Sequence, residues 1–335
     1  MGGNVGMNID GGAEMKRKFG VSFVITLMVL GLGSVSYSQG KYPDRQIQLI
    51  VPYGPGGSTD LCVRSFMGEV TKVLKQPVSI INRPGAGGLT GADAVANSKP
   101  DGYTLLATSA GVLTWGVALD PKSARELNPI AIMAVQPVMI TSRTESEYKT
   151  LEDVINAAKK KPGGVSCGSS GIQSETYLDL ALLEAATGVH IKHVPIASSS
   201  EGATTLLGGH IDLWVGSVST TQNLVKAGRL RGLAVSSPKR MRDFPDVPTF
   251  AERGFPHINV NLIIVMMGPK GLPPVVIKTW EDTLGVVLAR PDVAAALDKV
   301  NYDVDFQTGS ERLRKYFSDE IKRFSILAKE KGIIK

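Results

Sequence analysis

The run Ile47–Val51 is apolar almost throughout and is closed by Pro52. A strand with no polar alternation is buried on both faces, as a parallel strand between two layers of helices is. The loop Tyr53-Gly54-Pro55-Gly56-Gly57-Ser58-Thr59 follows at once. Then Cys62, Phe66, Val70, Val73 and Leu74 recur at helical spacing, with Ser58 or Thr59 available as N-cap. The same unit recurs downstream. Val78–Ile81 reads as a strand, Leu89–Asn97 as a short helix, Pro100-Asp101-Gly102 as a turn and Tyr103–Ala107 as a third strand. Strand, loop and helix in repetition predict an α/β fold with helices as crossovers.

A second series opens near Thr150, where Thr150 and Asp153 suit a capped helix that stops at Pro162-Gly163-Gly164. Val165–Cys167 is the next predicted strand, Gly168–Gln173 a loop of small residues and Ser174–Ala186 a helix ended by Gly188. Ile191–Val194, Ile211–Val215 and Gly232–Val235 are further strands. Asn259–Met267 is a long apolar segment, and two helical patterns, Val275–Leu288 and Ser310–Lys331, close the chain. The length exceeds what one core usually fills. The expected organisation is therefore two α/β lobes, residues 39–138 plus 262–335 and residues 139–261. Two connecting strands would form the hinge, with a cleft between the lobes and the C-terminal helices on the first lobe.

The first forty residues read as an export signal. Lys16, Arg17 and Lys18 precede an apolar run from Val21 to about Val35, and Ser36 and Ser38 suit a cleavage site before Gln39. The run is shorter than a spanning helix needs, and Gly31, Gly33 and Ser34 weaken it further. There is no Cys near its exit, so a lipid-anchored form is not expected. A true start at Met15, or loss together with the signal, would account for the polar stretch before it. Removing residues 1–38 takes away three basic and two acidic residues, so the net charge falls from +6 to +5. The Lys and Arg residues are scattered with few aromatics among them, which does not suit a nucleic-acid surface. Cys62 and Cys167 could pair in an oxidising compartment. Their placement beside loops of different lobes favours two separate thiols, because a disulfide across the lobes would hinder opening.

Chemistry concentrates in the loops that follow strands. Gly56-Gly57-Ser58-Thr59-Asp60 lets backbone approach a ligand and precedes a helix whose first N–H groups favour an anion. An ordinary capped turn is the plainer account of the same residues. A similar strand-to-helix loop, Gly168-Ser169-Ser170-Gly171-Ile172-Gln173-Ser174, recurs in the second series. Ser217-Val218-Ser219 and Ser109 also follow predicted strands, and ligands of α/β sheets bind outside the carboxyl ends of strands. Other motifs carry less. Gly85, Gly87 and Gly91 miss the dinucleotide spacing, since position 90 is Thr. Gly168-Ser169-Ser170-Gly171 is not a nucleophile elbow. His190 and His193 are three apart on a predicted strand, on opposite faces, so no metal set forms. His210 and His257 stand alone, and Asp60 and Asp212 have no second acid at useful spacing. No catalytic set, metal site or cofactor is expected.

Three stretches together resemble the substrate-binding proteins of tripartite tricarboxylate transporters, the Bug family. They are Tyr42-Pro43-Asp44-Arg45 through Asp60 with Arg64; Asn82-Arg83-Pro84-Gly85-Ala86-Gly87-Gly88 through Leu106; and His193-Val194-Pro195, Leu206 through Asp212, and Pro245 through Glu252 with Gly254. The resemblance covers essentially the whole mature chain. It implies a type II periplasmic-binding-protein fold with two crossover strands and a ligand cleft between the lobes. It also implies a ligand carboxylate gripped by the two loops, and delivery to a small and a large membrane permease subunit. A ligand sensor docking on a membrane receptor is the alternative, and a secreted hydrolase using Ser58 or Ser170 a more distant one. The expected site is Tyr53, Gly56, Gly57, Ser58, Thr59, Asp60, Ser109, Ser170, Gly171, Gln173, Ser174, Ile196 and Ser217, in a periplasmic monomer that is not an enzyme.

The chain departs from the family pattern in three places. Ser174-Glu175-Thr176 stands where the family has Ser-x-His or a similar pair. Ile196-Ala197-Ser198-Ser199-Ser200 replaces the usual Tyr and Lys-Gly, and Leu262-Ile263-Ile264 replaces a Trp in the return strand. The pocket is therefore expected to be less aromatic and richer in hydroxyls. Glu175 reads as a helix-N-terminal acid stabilised by the dipole. If it faced the cleft, it would repel a second carboxylate and favour an amine or a hydroxyl.

Overall fold

The computed structural model describes residues 1–4, 6 and 42–334. Residues 1–41 form a unit of their own, whose described residues 1–4 and 6 have no regular structure. The export signal read from Lys16 to Gln39 lies outside the described residues. Among the described residues no helix is long and apolar enough to cross a membrane.

The expected βα units are present from residue 47 onward. Strands β1 (Ile47–Val51), β2 (Val78–Asn82) and β3 (Thr104–Ser109) are parallel, with β1 in the middle. Helix α1 (Ser58–Leu74) covers them, burying Cys62, Val63, Phe66, Met67 and Val70 at helical spacing. It stops where Lys75 turns left-handed. The short helices α2 (Leu89–Ala96) and α3 (Trp115–Leu119) follow β2 and β3.

The sheet then passes into a second half. Strand β4 runs 17 residues, Leu127–Arg143. Its Leu127–Pro137 stretch pairs antiparallel with β9 (Asn261–Pro269), which in turn pairs antiparallel with β3. From Val138 onward β4 pairs instead with β7 (Leu213–Ser217) and β8 (Leu230–Val235). Strand β7 lies parallel to β5 (Ser166–Ser169), and β5 parallel to β6 (Lys192–Pro195). The strand order is β2-β1-β3-β9-β4-β7-β5-β6. Strands β4 and β9 are thus the two crossovers, and the change of partners falls at Pro137, which has no N–H to donate. Ser236 ties the crossovers together. The Val138 amide donates to its hydroxyl at 2.8 Å, and the hydroxyl reaches the Val260 carbonyl at 2.6 Å.

The second half carries α4 (Leu151–Lys160), α5 (Glu175–Thr187), α6 (Ser199–Leu207) and α7 (Val218–Lys226). Thr150 and Asp153 form the expected capping box of α4. The chain closes with α8 (Pro274–Leu288), α9 (Pro291–Asp298), β10 (Asp303–Thr308) and α10 (Ser310–Glu330). Strand β10 is antiparallel to β4. The last helix spans both halves rather than sitting on the first alone. Leu313 and Phe317 pack with Ile50, Leu106 and Val265, whereas Phe324 and Ala328 join Trp115, Leu178 and Leu182. Cys62 and Cys167 are both buried and unpaired, one on α1 and the other on β5.

Candidate functional site

The first wall of the site comes from the loop that follows β1. Gly57 occupies the N-cap of α1 and offers no side-chain hydrogen bond to it. The first-turn amides of Ser58, Thr59 and Asp60 are therefore left without a capping acceptor. The loop is held from behind by Asp60. Its carboxylate accepts from the Gly56 amide at 2.9 Å, Arg64 Nε at 2.9 Å and Asn82 Nδ2 at 3.0 Å. Asn82 also donates to the Tyr53 carbonyl at 3.0 Å. Burial acts to raise the Asp60 pKa, but the bonds from Arg64, Gly56 and Asn82 outweigh it and hold the group below its ordinary value.

Opposite this loop stand β5, α5 and α6. Ser174 caps α5, accepting from the Tyr177 amide and donating to the Gly171 carbonyl at 2.6 Å. Thr176 Oγ1 donates to Ser174 Oγ at 2.8 Å and accepts from the Ser170 amide at 3.1 Å. Ser170 and Ser199 bring their hydroxyls within 3.4 Å of each other.

Between these walls lies a small cavity. Tyr53, Gly57, Ser58, Thr59, Ser109 and Leu262 line one side, and Ser170, Ser174, Glu175, Thr176 and Ser199 the other. Seven of these eleven residues carry hydroxyls on Ser or Thr, and none is Lys, Arg or His. Thr59 Oγ1 is buried there without a hydrogen-bond partner among the described residues.

Glu175 joins the two walls. Although it is in the first turn of α5, only 4% of it is exposed. Its carboxylate accepts from Ser109 Oγ at 2.9 Å and from the Gly111 amide. Tyr53 Oη lies 3.0 Å from Ser109 Oγ. Since Ser109 spends its proton on Glu175, Tyr53 donates in turn, and the three form one directed chain. Burial pushes the Glu175 carboxyl up to about 7, partly offset by these bonds. Burial, followed by the nearby Glu175 charge, pushes the Tyr53 phenol up to about 12. Glu175 is the helix-N-terminal acid expected from sequence, and it also faces the cleft: α5 turns its N-terminal end into the interface between the walls, which takes Glu175 out of water.

Of the residues expected from sequence, Tyr53, Gly57, Ser58, Thr59, Ser109, Ser170 and Ser174 line this cavity. The remaining six are placed elsewhere. Gly56 is the left-handed turn residue behind the loop (φ 71°), and Asp60 is the brace described above. Gly171 is left-handed (φ 99°), with its Cα side toward Gly87. Gln173 packs on Gly116. Ile196 belongs to the apolar cluster around Trp214 and Leu206. Ser217 is fully buried and bonds to Ser219 and Thr220. Sequence reasoning left out Glu175, Thr176, Ser199 and Leu262. All four lie in the three stretches marked as departing from the family pattern, and that was the available signal. Among the described residues no group of three or more His, Cys, Asp or Glu could hold a metal.

A two-lobed α/β fold with two crossover strands and a polar cleft between its halves defines a periplasmic-type solute-binding protein. Residues 62–333 match the tripartite tricarboxylate transporter family receptor profile, and the chain belongs to that family. It is 32% identical to protein BugT of Bordetella pertussis over 300 residues, which are 88% of this chain and 92% of BugT. Among solved structures it resembles periplasmic binding protein BugD, with a TM-score of 0.82 at 27% identity over 87% of this chain and 99% of BugD. It also resembles MatC from Rhodopseudomonas palustris with bound malate, with a TM-score of 0.80 at 26% identity over 85% of this chain and 99% of MatC.

Proposed function

We propose that this chain is a non-enzymatic periplasmic receptor that captures a small organic carboxylate in the cleft and delivers it to a small and a large membrane permease subunit. The observation that carries the reading is the composition of the cavity. Uncapped amides open α1, hydroxyls of Ser58, Thr59, Ser170 and Ser199 surround the space, and no side-chain cation is among its lining. Backbone N–H groups at a helix N-terminus, supplemented by hydroxyls, hold an anion of low charge without a counter-cation. Malate bound to MatC supports a carboxylate as the anion. The lobes are taken as residues 39–138 plus 262–335 and residues 139–261, acting in a monomer after removal of residues 1–38. A hydrolytic role for Ser58 or Ser170 finds no support, since no imidazole lines the cavity to act as base.

Thermal melting against a panel of organic anions tests the reading. A ligand that binds the folded state at a hundred times its Kd raises stability by about 2.7 kcal/mol. At least one carboxylate should raise the melting temperature by several degrees, and the rise should vanish in Gly57→Asp. If no carboxylate moves the melt, the reading is wrong.

A further inference from the structure

Glu175 is a buried carboxylate in the wall of a cavity read as an anion site, and among the described residues no cation pairs with it. Its two protein partners, Ser109 and Gly111, are neutral donors. A carboxylate has about four acceptor positions, so further sites on it remain free. An adjoining cavity also touches Glu175 and contains His257, Glu320 and Arg323. Arg323, however, is bound to Glu320 on its own helix at 2.6 Å and lies over the Phe324 ring. The nearest other acid on α5, Asp179, is buried one helical turn away, and both its oxygens lack a hydrogen-bond partner among the described residues. Burial pushes its carboxyl well up, which favours the neutral form, so it supplies no counter-charge to Glu175.

Two features of one small cavity thus ask for opposite charges. The uncapped start of α1 and the unpartnered Thr59 hydroxyl favour an anionic group on one wall. Glu175 favours a cationic group on the other. We propose that Glu175 is the specificity-determining residue of the cleft and that the cargo is a zwitterion, a carboxylate that also bears a protonated amine paired with Glu175. The inference rests on the carboxylate reading above and narrows it. Above about pH 7, where Glu175 is ionised, a dicarboxylate of the same length would bring its second charge against Glu175, and like charges in a water-poor site disfavour binding strongly.

The test uses the whole protein and isothermal titration calorimetry. The probes are ω-amino acids from glycine to ε-aminocaproate, L-alanine and L-serine, each set against the dicarboxylate of matching carbon chain. For the wild type, at least one amino acid should bind about a hundredfold tighter than its dicarboxylate partner, the scale of a desolvated charge pair. In Glu175→Gln that ratio should fall by at least about tenfold, through weaker amino-acid binding, stronger dicarboxylate binding, or both. The wild-type comparison stands without the variant, so poor folding of Glu175→Gln would not rescue the inference. If a dicarboxylate binds the wild type as tightly as its amino-acid counterpart, the zwitterion is refuted and the carboxylate reading stands. An unchanged ratio in a folded Glu175→Gln refutes the role of Glu175. If neither class binds while another carboxylate moves the melt, the zwitterion is refuted and the carboxylate reading stands; if no carboxylate does either, both fall.

Discussion

Replacing Glu175 by Gln should change how stability depends on pH, and the size of the change follows from burial. An exposed Glu loses its proton near 4.5, whereas burial holds the Glu175 carboxyl up to about 7. A carboxyl whose pKa is higher in the folded protein favours folding when protonated. Its contribution is fully present below 4.5 and is lost as pH rises through about 7. At 1.36 kcal/mol per unit, the shift amounts to about 3 kcal/mol between those limits. Gln fits the same space. Its Oε1 can accept from the Gly111 amide, and its Nε2 can donate to Ser109, with Tyr53 and Ser109 reorienting their hydroxyls. Urea unfolding of the dialysed protein should be measured from pH 4.5 to pH 8 on wild type and variant. The wild type should lose stability relative to Glu175→Gln by about 3 kcal/mol across that range, most of it by the time pH passes 7. Taking the difference removes the part of the Asp179 contribution that comes from its own burial, which pushes that carboxyl up, and leaves only the part set by the Glu175 charge. A difference that stays constant with pH would refute the argument that Glu175 is desolvated at the interface.

Further outcomes follow from other contacts. Gly57→Asp places a carboxylate at the open N-cap of α1, where a cap is ordinarily worth about 1 kcal/mol. A new Cβ there comes within 3.0 Å of the Gly54 carbonyl, so the two effects oppose each other. The expected result is loss of ligand-induced stabilisation, with unfolding free energy changed by less than about 1 kcal/mol. Gly202→Ala drives a methyl group into the ring of the fully buried Trp214, and chemical denaturation should show a loss of about 1–3 kcal/mol. Ser236→Ala removes the hydroxyl shared by Val138 and Val260 and leaves the crossover strands with unpaired groups, at a cost of about 1–3 kcal/mol in the same assay. Cys62 and Cys167 should resist a thiol reagent in the native protein and add two labels, seen by mass spectrometry, once it is unfolded, because both are buried and unpaired.

The parts of this fold legible in sequence are those whose signal is local. Ile47–Val51, the loop behind it and the apolar face of α1 announce themselves through burial on both faces and a 3.6-residue period. The α4 capping box could be read from Thr150 and Asp153 alone. The first part of β4 could not, because Pro129 and Pro137 argue against a central strand. That stretch is a strand because β9 and β10 pair with it from distant parts of the chain. Strand β10, with Asp303, Asp305 and Gln307, has no apolar run to betray it, and α9 is an eight-residue helix led by Pro291. At the site, the glycine and serine loops were visible as loops. Which of their side chains enter the cavity was not, because that depends on where the second half of the sheet sets α5. Glu175 shows the limit most clearly. Its place in the first turn of a helix was readable, but its burial against Ser109 and Gly111 is set by tertiary packing. Ile196 and Ser217 are the converse, polar-loop neighbours drawn into the core by Trp214 and by Ser219.

The claim that the cleft holds a carboxylate is tested most directly by identifying what the protein carries through purification. The purified wild type should be examined by native mass spectrometry, then denatured and the released small molecule identified. The account predicts one bound molecule per chain, bearing a carboxyl group, and none on Gly57→Asp. A bound molecule without a carboxyl group, retained equally by Gly57→Asp, would contradict it.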